Sequence, residues 1–498
     1  MKLVFYCSNE TVPMHYFEAM QIFGHIFGLP ELIPGNDGSR FVDAYAKSKG
    51  IPGETDAVLL AEDDDGTCRH YPLILEDALK EARDECAQLK KDPSFISGKN
   101  VLKRRLYKIL SELYGYASPW GVLTGVRPTK VVHKLFEQGL GDLEIRSFLK
   151  QFYLCSDRKI GLCMDTFENQ RGLLGYREDA CGLYVSFPFC PSICSYCTFG
   201  SSPIERYRNK VDLYKELLLD ELELSRSLIG NRYEIKYIYV GGGTPTAVPP
   251  KVLYEVLKRI NTLFDVSAAE EFCVEAGRPD TIDEEKLRII RDAGVGRISI
   301  NPQSMNKKTL DLVGRGHTPS DIVDKFRLAR SMGFKNVNMD VIAGLPGESP
   351  EDFEETMRQV IGLGPEGITV HTLSLKRASR LSKSEDEKAL IVIENAGRMA
   401  DAARELTRKA GYSPFYMYRQ KNCIGNNENV SYCKKGFESP YNVHIMDEDL
   451  TIIGIGAGAV TKIVSDGGLS IKRYFNAKSP DEYMRSFDVV TARKREAF

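Results

Sequence analysis

The sequence has little of what would mark a chain for export, for a membrane or for a polyanion. Its 12 cysteines are spread over 498 residues, too sparse for a disulfide scaffold, and such a chain is expected to keep its thiols reduced. No run is apolar enough to cross a bilayer: the least polar stretch, Thr451 to Val460, is too short, and the opening Met-Lys-Leu-Val-Phe-Tyr-Cys-Ser-Asn-Glu contains no signal-like segment. A cytoplasmic protein without a membrane span is the expectation. Charge of one sign is missing too. Lys+Arg 67 against Asp+Glu 69 leaves a formal net charge of -2, so no global field draws nucleic acid, and an anionic substrate has to meet local cations. Internal repeats and low-complexity segments are absent as well.

A chain of 498 residues exceeds one core and implies two to four domains. Residues 1–175 mix strand-like runs (Lys2 to Cys7, Asp56 to Ala61) with helical ones (Leu75 to Lys90, Val101 to Tyr114), broken by turn signals at residues 34–38 and 63–66, and read as an N-terminal α/β domain. Within it Gly121 to Lys130 offers glycines and two cations for an anion, although a plain helix-entry loop is the favoured account. Residues 176–385 change pattern. Six β-rich runs, Leu183 to Phe187, Ile235 to Val240, Glu271 to Glu275, Gly296 to Ile300, Val337 to Ile342 and Gly367 to Thr372, alternate with amphipathic helices such as Tyr207 to Leu228 and Pro250 to Phe264. That alternation predicts an α/β fold, a partial (β/α)6 parallel barrel with its chemistry at the C-terminal strand ends. A polar stretch, Lys376 to Lys388, a linker or equally a solvated loop of the barrel, then leads to residues 386–498, a small C-terminal α+β domain expected over the substrate side. It opens with a helix, Ala389 to Gly411.

Cys190, Cys194 and Cys197 lie on one loop, Phe-Cys-Pro-Ser-Ile-Cys-Ser-Tyr-Cys, directly after the first β run. Three soft thiolates converging there suit a 4Fe-4S cluster whose fourth iron stays open to a ligand. A structural zinc site would ask for four ligands, usually as two pairs on separate knuckles. Three buried cysteines acting as small hydrophobes sit badly with Pro191, Ser192 and Ser195. Neither alternative is closed by spacing alone. Cys7, Cys68, Cys86, Cys155, Cys163 and Cys181 share no spacing and read as structural, while Cys423 and Cys433 make a conceivable second metal pair.

Polar residues interrupt the other strand ends. Gly241-Gly242-Gly243-Thr244-Pro245 follows the second run, where glycines let the backbone approach a ligand, although a bare glycine-rich turn explains the run equally well. Glu275 closes the third run, Gln303 follows the fourth, and Asp340 lies in the fifth. Several polar side chains aimed at one end of one barrel point to a bound ligand more than to isolated core hydrogen bonds. In Tyr412 to Asn422 aromatics are combined with Arg419 and Lys421, suited either to a ring with carboxylates or to an ordinary amphipathic strand.

These residues together resemble the radical S-adenosylmethionine enzymes, and most closely the oxygen-independent coproporphyrinogen III dehydrogenase family in its HemZ-type branch. The likeness covers about residues 180 to 375 well. It implies that Cys190, Cys194 and Cys197 hold one 4Fe-4S cluster, and that Tyr184, Tyr196, Gly242, Gly243, Thr244, Glu275, Gln303, Arg315, Asp340 and Ile342 surround S-adenosyl-L-methionine. It implies a tetrapyrrole substrate, with Arg419 and Lys421 as candidates for its propionates, and an electron donor such as flavodoxin or ferredoxin. The implied reaction turns propionates of coproporphyrinogen III into the vinyl groups of protoporphyrinogen IX; haem delivery, or anaerobic modification of haem, is the competing expectation. Two departures stand out. Phe199 occupies the position of a further cysteine in the best-known members, and those members lack so large an N-terminal region.

Overall fold

A computed structural model describes residues 2–7, 33–34, 57–62, 67–73, 80–81, 84, 98–197, 200–374, 389–420 and 423–498. The six β-rich runs become β1 (Ala180–Phe187), β2 (Glu234–Gly242), β3 (Glu271–Glu275), β4 (Arg297–Ser299), β5 (Asn336–Ala343) and β6 (Gly367–Thr372). They stand side by side in chain order, each parallel to the next. Crossover helices, among them Val211–Ile229, Pro250–Leu263, Pro319–Ser331 and Pro350–Leu363, cover the outer face. With helices outside and side chains packed inside, the strands are buried on both faces, which is why β1 reads as an almost unbroken apolar run in which only Tyr184 keeps some exposure.

Helix starts follow local chemistry. Thr318 and Ser349 each accept from the backbone N–H three residues on, while Asp321 and Asp352 reach back to the cap, and a proline occupies the first helical position in both. Each box satisfies two donors that the helix itself leaves unpaired.

A parallel sheet of six strands has two open edges, and open edges invite non-specific pairing. Residues 386–498 contribute five strands to the same sheet, on both sides. β7 (Ser413–Arg419) and β8 (Glu428–Cys433) form an antiparallel pair beyond β6, with β8 inside. β9 (Thr451–Ile455) runs parallel to β1, and the hairpin β10 (Val460–Ser465) and β11 (Ser470–Phe475) continues outward from it. The predicted helix opening this region spans Ala389–Lys409.

Ahead of the barrel, Lys2–Cys7, Ala57–Glu62 and Cys68–Leu73 make an antiparallel set, with Ile33–Pro34 parallel to the first. Among the described residues the helices Gly98–Tyr114, Pro128–Glu137, Asp142–Gln151 and Asp157–Gln170 follow, the last packed against β7. Trp120, Phe148 and Leu162 from this part share one continuous hydrophobic core with Leu183, Val240 and Ile298 of the barrel. The turn signals at 35–38 and 63–66, most of Leu75 to Lys90 and the stretch Lys376 to Lys388 lie outside the described residues. Among the described residues no helix is long and apolar enough to cross a membrane.

Candidate active site

Because side chains alternate along a strand, every second residue of the barrel points inward. Tyr239 of β2, Glu275 of β3, Asn338, Asp340 and Ile342 of β5 and His371 of β6 meet in a single cavity of about 460 Å³. Tyr416 and Tyr418 of β7 and Asn429 and Ser431 of β8 close one side, and Tyr441 from the helix Pro440–Asp447 enters from below. At the mouth stand Cys190, Cys194 and Cys197.

The cysteine loop is pinned by its neighbours. Ser195 N donates to Val313 O at 3.1 Å and Cys197 N to Cys194 O at 3.1 Å. Cys190 Sγ lies 3.4 Å from Thr244 Oγ1, and burial pushes its thiol up, opposed by the hydrogen bonds of Thr244 and Ser201. Among the described residues no three His, Cys, Asp or Glu side chains crowd around one point as a single-ion site requires. A 4Fe-4S cluster makes no such demand, since each thiolate binds a different iron, and three thiols on one loop fit it.

The three glycines at the end of β2 owe their identity to the protein's own packing. A Cβ on Gly241 would stand 2.9 Å from the Glu275 carboxylate, one on Gly242 2.7 Å from Ser186 Oγ, and one on Gly243 2.6 Å from Phe189 O. Gly242 also has φ 104, in the region that favours glycine. The close approach lets Gly243 N and Thr244 N donate to Phe187 O and Phe189 O, both at 2.7 Å, and so presents Thr244 to Cys190.

Glu275 is half-buried on the cavity wall, accepts from Tyr239 OH at 2.6 Å, and burial, reinforced by the Asp340 charge, raises it to about 7 against that hydrogen bond. Gln303 holds φ 64, strained for a residue with a Cβ. It is locked there by Gln303 N donating to Asp340 O and Ile342 N donating to Gln303 O, both at 2.9 Å. Asp340 accepts from Asn338 Nδ2 at 2.7 Å and lies 3.7 Å from His371 Nε2. Arg315 spends its Nη atoms on Tyr196 OH (3.0 Å), Gly277 O and Asn301 O. Among the described residues its Nε, Gln303 Oε1, Ser299 Oγ and Tyr441 OH are buried without a partner. Orphaned donors and acceptors around one cavity are what a polar ligand satisfies. Tyr184 lines the cavity and stacks on Tyr239 (centroids 6.3 Å), which stacks on Tyr441 (4.6 Å).

Arg419 does not reach this cavity, which corrects its assignment as a substrate contact. On β7 it alternates with Tyr416, Tyr418 and Gln420, so when these face inward it faces out. There it is buried over the Trp120 ring at 5.2 Å and donates to Leu123 O and Asn426 O. Burial pulls its guanidinium down to about 10, against nearby Glu428. Lys421 lies outside the described residues, as does Phe199. The two cations of the Gly121 to Lys130 loop are taken up by Glu448 and by Asp447 O, so that loop is a helix entry, with Pro128 opening the helix. Cys433 pairs opposite Gly367 at the start of β6, whereas Cys423 bridges Ser374 beyond its end. The two do not share a site.

Residues 184–360 match the model of the radical SAM superfamily. Over 408 residues the chain is 39% identical to the oxygen-independent coproporphyrinogen-III oxidase-like protein HemZ of Bacillus subtilis, covering 80% of this chain and 81% of that protein. The chain belongs to this HemZ-type radical SAM family. It is also 30% identical over 277 residues to the heme chaperone HemW of Bacillus subtilis, covering 55% of this chain and 69% of HemW. Among solved structures, coproporphyrinogen III oxidase (HemN) from Escherichia coli shares the fold at a TM-score of 0.51 and 22% identity, over 65% of this chain and 72% of that one. Membership of the radical SAM superfamily implies a 4Fe-4S cluster and S-adenosylmethionine.

In this HemZ-type chain Arg278, Tyr239, His371 and Tyr441 line the cavity although the sequence pattern did not single them out. His371 is the next-to-last residue of β6, so the strand-end rule that selected Glu275 would have selected it. Arg278 lies three residues past β3, where loop residues of a barrel enter the site. For Tyr441 no local signal exists, since only the tertiary fold brings its helix beneath the barrel.

Proposed function

We propose that the protein takes a hydrogen atom from the β-carbon of a propionate on a coproporphyrinogen-class tetrapyrrole. The carboxylate leaves as carbon dioxide and one further electron passes to an acceptor, so that a vinyl group remains. The supporting observation is one continuous cavity that runs from Cys190, Cys194 and Cys197 at the mouth to a wall of tyrosines, amides and hydroxyls. Such a cavity excludes water from a reactive intermediate and offers aromatic surface to a large ring.

When bound, the cluster and S-adenosylmethionine supply the one-electron cleavage that yields methionine and a 5'-deoxyadenosyl radical. The chain supplies position. Cys190, Cys194 and Cys197 would hold the cluster. Glu275 offers a carboxylate to an amino group, Asp340 and Gln303 offer acceptors to ribose hydroxyls, and the free Nε of Arg315 offers a donor to a carboxylate. Gly242, Gly243 and Thr244 form the floor beside the cysteines, with Tyr184, Tyr196 and Ile342 as apolar or stacking surface. Tyr416, Tyr418, Asn429, Ser431 and Tyr441 face the substrate. A flavodoxin or ferredoxin in the cytoplasm would deliver the electron.

A second reading, a haem-binding or haem-delivering protein, is favoured by one observation. Among the described residues Arg278 and Arg315, the arginines of the cavity, both stand toward the cysteine loop, and the wall that would meet propionates has hydroxyls, amides and His371 instead. The test is product analysis after anaerobic reconstitution with reductant and S-adenosylmethionine. Carbon dioxide and vinyl porphyrinogen from coproporphyrinogen III support the first reading. Stoichiometric haem binding with no carbon dioxide replaces it with the second.

A further inference from the structure

We infer that Arg278, backed by Asp280, sets the reduction potential of the cluster held by the cysteine loop. The inference rests on the reading of Cys190, Cys194 and Cys197 as cluster ligands. Arg278 is 4% exposed and follows β3 through Ala276 and Gly277. Its Nε and Nη2 donate to Asp280 Oδ1 and Oδ2 at 2.9 and 2.7 Å. The fork is thereby locked, and the remaining nitrogen, Nη1, points into the cysteine loop. It lies 3.3 Å from Ser192 Oγ, 3.5 Å from Ser192 O and 3.6 Å from Cys194 Sγ.

The chemistry follows from charge. Reduction of an iron–sulfur cluster adds one negative charge, part of it on the ligand sulfurs, and hydrogen bonds and net charge around those sulfurs set the potential. A buried guanidinium donating to Cys194 Sγ stabilises the reduced state more than the oxidised one and raises the potential; screening is weak at such a site. Asp280, paired with the same guanidinium, acts in the opposite direction and moderates it. A mere brace for the loop would need a donor at Nη1 and no particular charge. The arrangement therefore predicts opposite signs for the two residues.

The experiment is a redox titration of the anaerobically reconstituted full-length protein, followed by electron paramagnetic resonance, with iron and sulfide counted per chain. For Arg278→Gln the reduced-to-oxidised ratio at a fixed solution potential falls about tenfold, about 59 mV to the negative for a one-electron couple. Asp280→Asn moves the ratio the other way, and Arg278→Lys, which keeps the charge, stays between wild type and Arg278→Gln. Equal potentials in all variants, or shifts of Arg278→Gln and Asp280→Asn in the same direction, overturn the inference. If Arg278→Gln assembles no cluster, Asp280→Asn decides alone: a rise supports the inference, and a fall or no change refutes it. A wild-type protein that binds no iron or sulfide would instead refute the cluster reading, a separate outcome.

Discussion

Replacing Glu275 by Gln probes the electrostatics of the cavity without any ligand. The carboxyl lines the cavity and is raised to about 7 in the folded chain, by burial first and by the Asp340 charge second. In the unfolded chain it titrates near 4.5. The folded state therefore keeps its proton through a window in which the unfolded state has lost it. Stability from this group is full below the unfolded value, declines as pH rises toward 7, and is level above. At 1.36 kcal/mol per pH unit the interval amounts to about 3 kcal/mol. Gln has nothing to lose, so the wild-type minus variant stability should fall by about 3 kcal/mol between pH 4.5 and 7. Glu348, raised to about 7 by burial, and His317, lowered to about 4 by burial, add slopes of their own. Both are present in each protein and cancel in the difference. The assay is urea unfolding of cluster-free protein at several pH values, read from the fluorescence of Trp120, the sole tryptophan, which is 1% exposed. Parallel pH profiles for the two proteins would refute the reasoning.

Asp340→Ala should weaken S-adenosylmethionine binding by about 5- to 150-fold, the cost of roughly 1 to 3 kcal/mol for a lost hydrogen bond with a buried partner, while iron content stays unchanged; calorimetry of the reconstituted variant that gives wild-type affinity would place Asp340 outside the site. Arg419→Ala should cost roughly 1 to 3 kcal/mol of unfolding free energy, because it leaves Leu123 O and Asn426 O without their guanidinium donor, and a denaturation midpoint equal to wild type would restore Arg419 as a candidate ligand contact. Gly243→Ala drives a methyl group against Phe189 O and Phe187 O, a strain of about 1 to 3 kcal/mol that displaces Thr244 from Cys190. Reduced iron and sulfide incorporation by a variant that still folds, judged by circular dichroism, is the expected result, and full incorporation counts against the packing account.

Local spacing carried most of what was legible. A strand, a short loop and three cysteines occupy one segment, residues 183–197, so their convergence needs no distant partner. The six strand runs announce themselves by residue type; Glu275 and Gln303 stand at or just beyond strand ends and Asp340 within β5, three residues before its end, where parallel α/β topology gathers them. What local pattern leaves open is which face of an added strand looks inward. Tyr416, Tyr418 and Arg419 were read together as one aromatic and cationic patch, yet a strand turns successive side chains to opposite faces. The pairing of Arg419 with Glu428 on β8 sent Arg419 outward, to a tryptophan and a carboxylate that themselves pair across 308 residues of chain. The glycines at the end of β2 were likewise legible as a close approach, but that the neighbours are Glu275, Ser186 and Phe189 was decided by the sheet. Charge and alternation are properties of a segment; burial and partner are properties of the fold, because each is fixed by residues far away in sequence that only packing brings into contact.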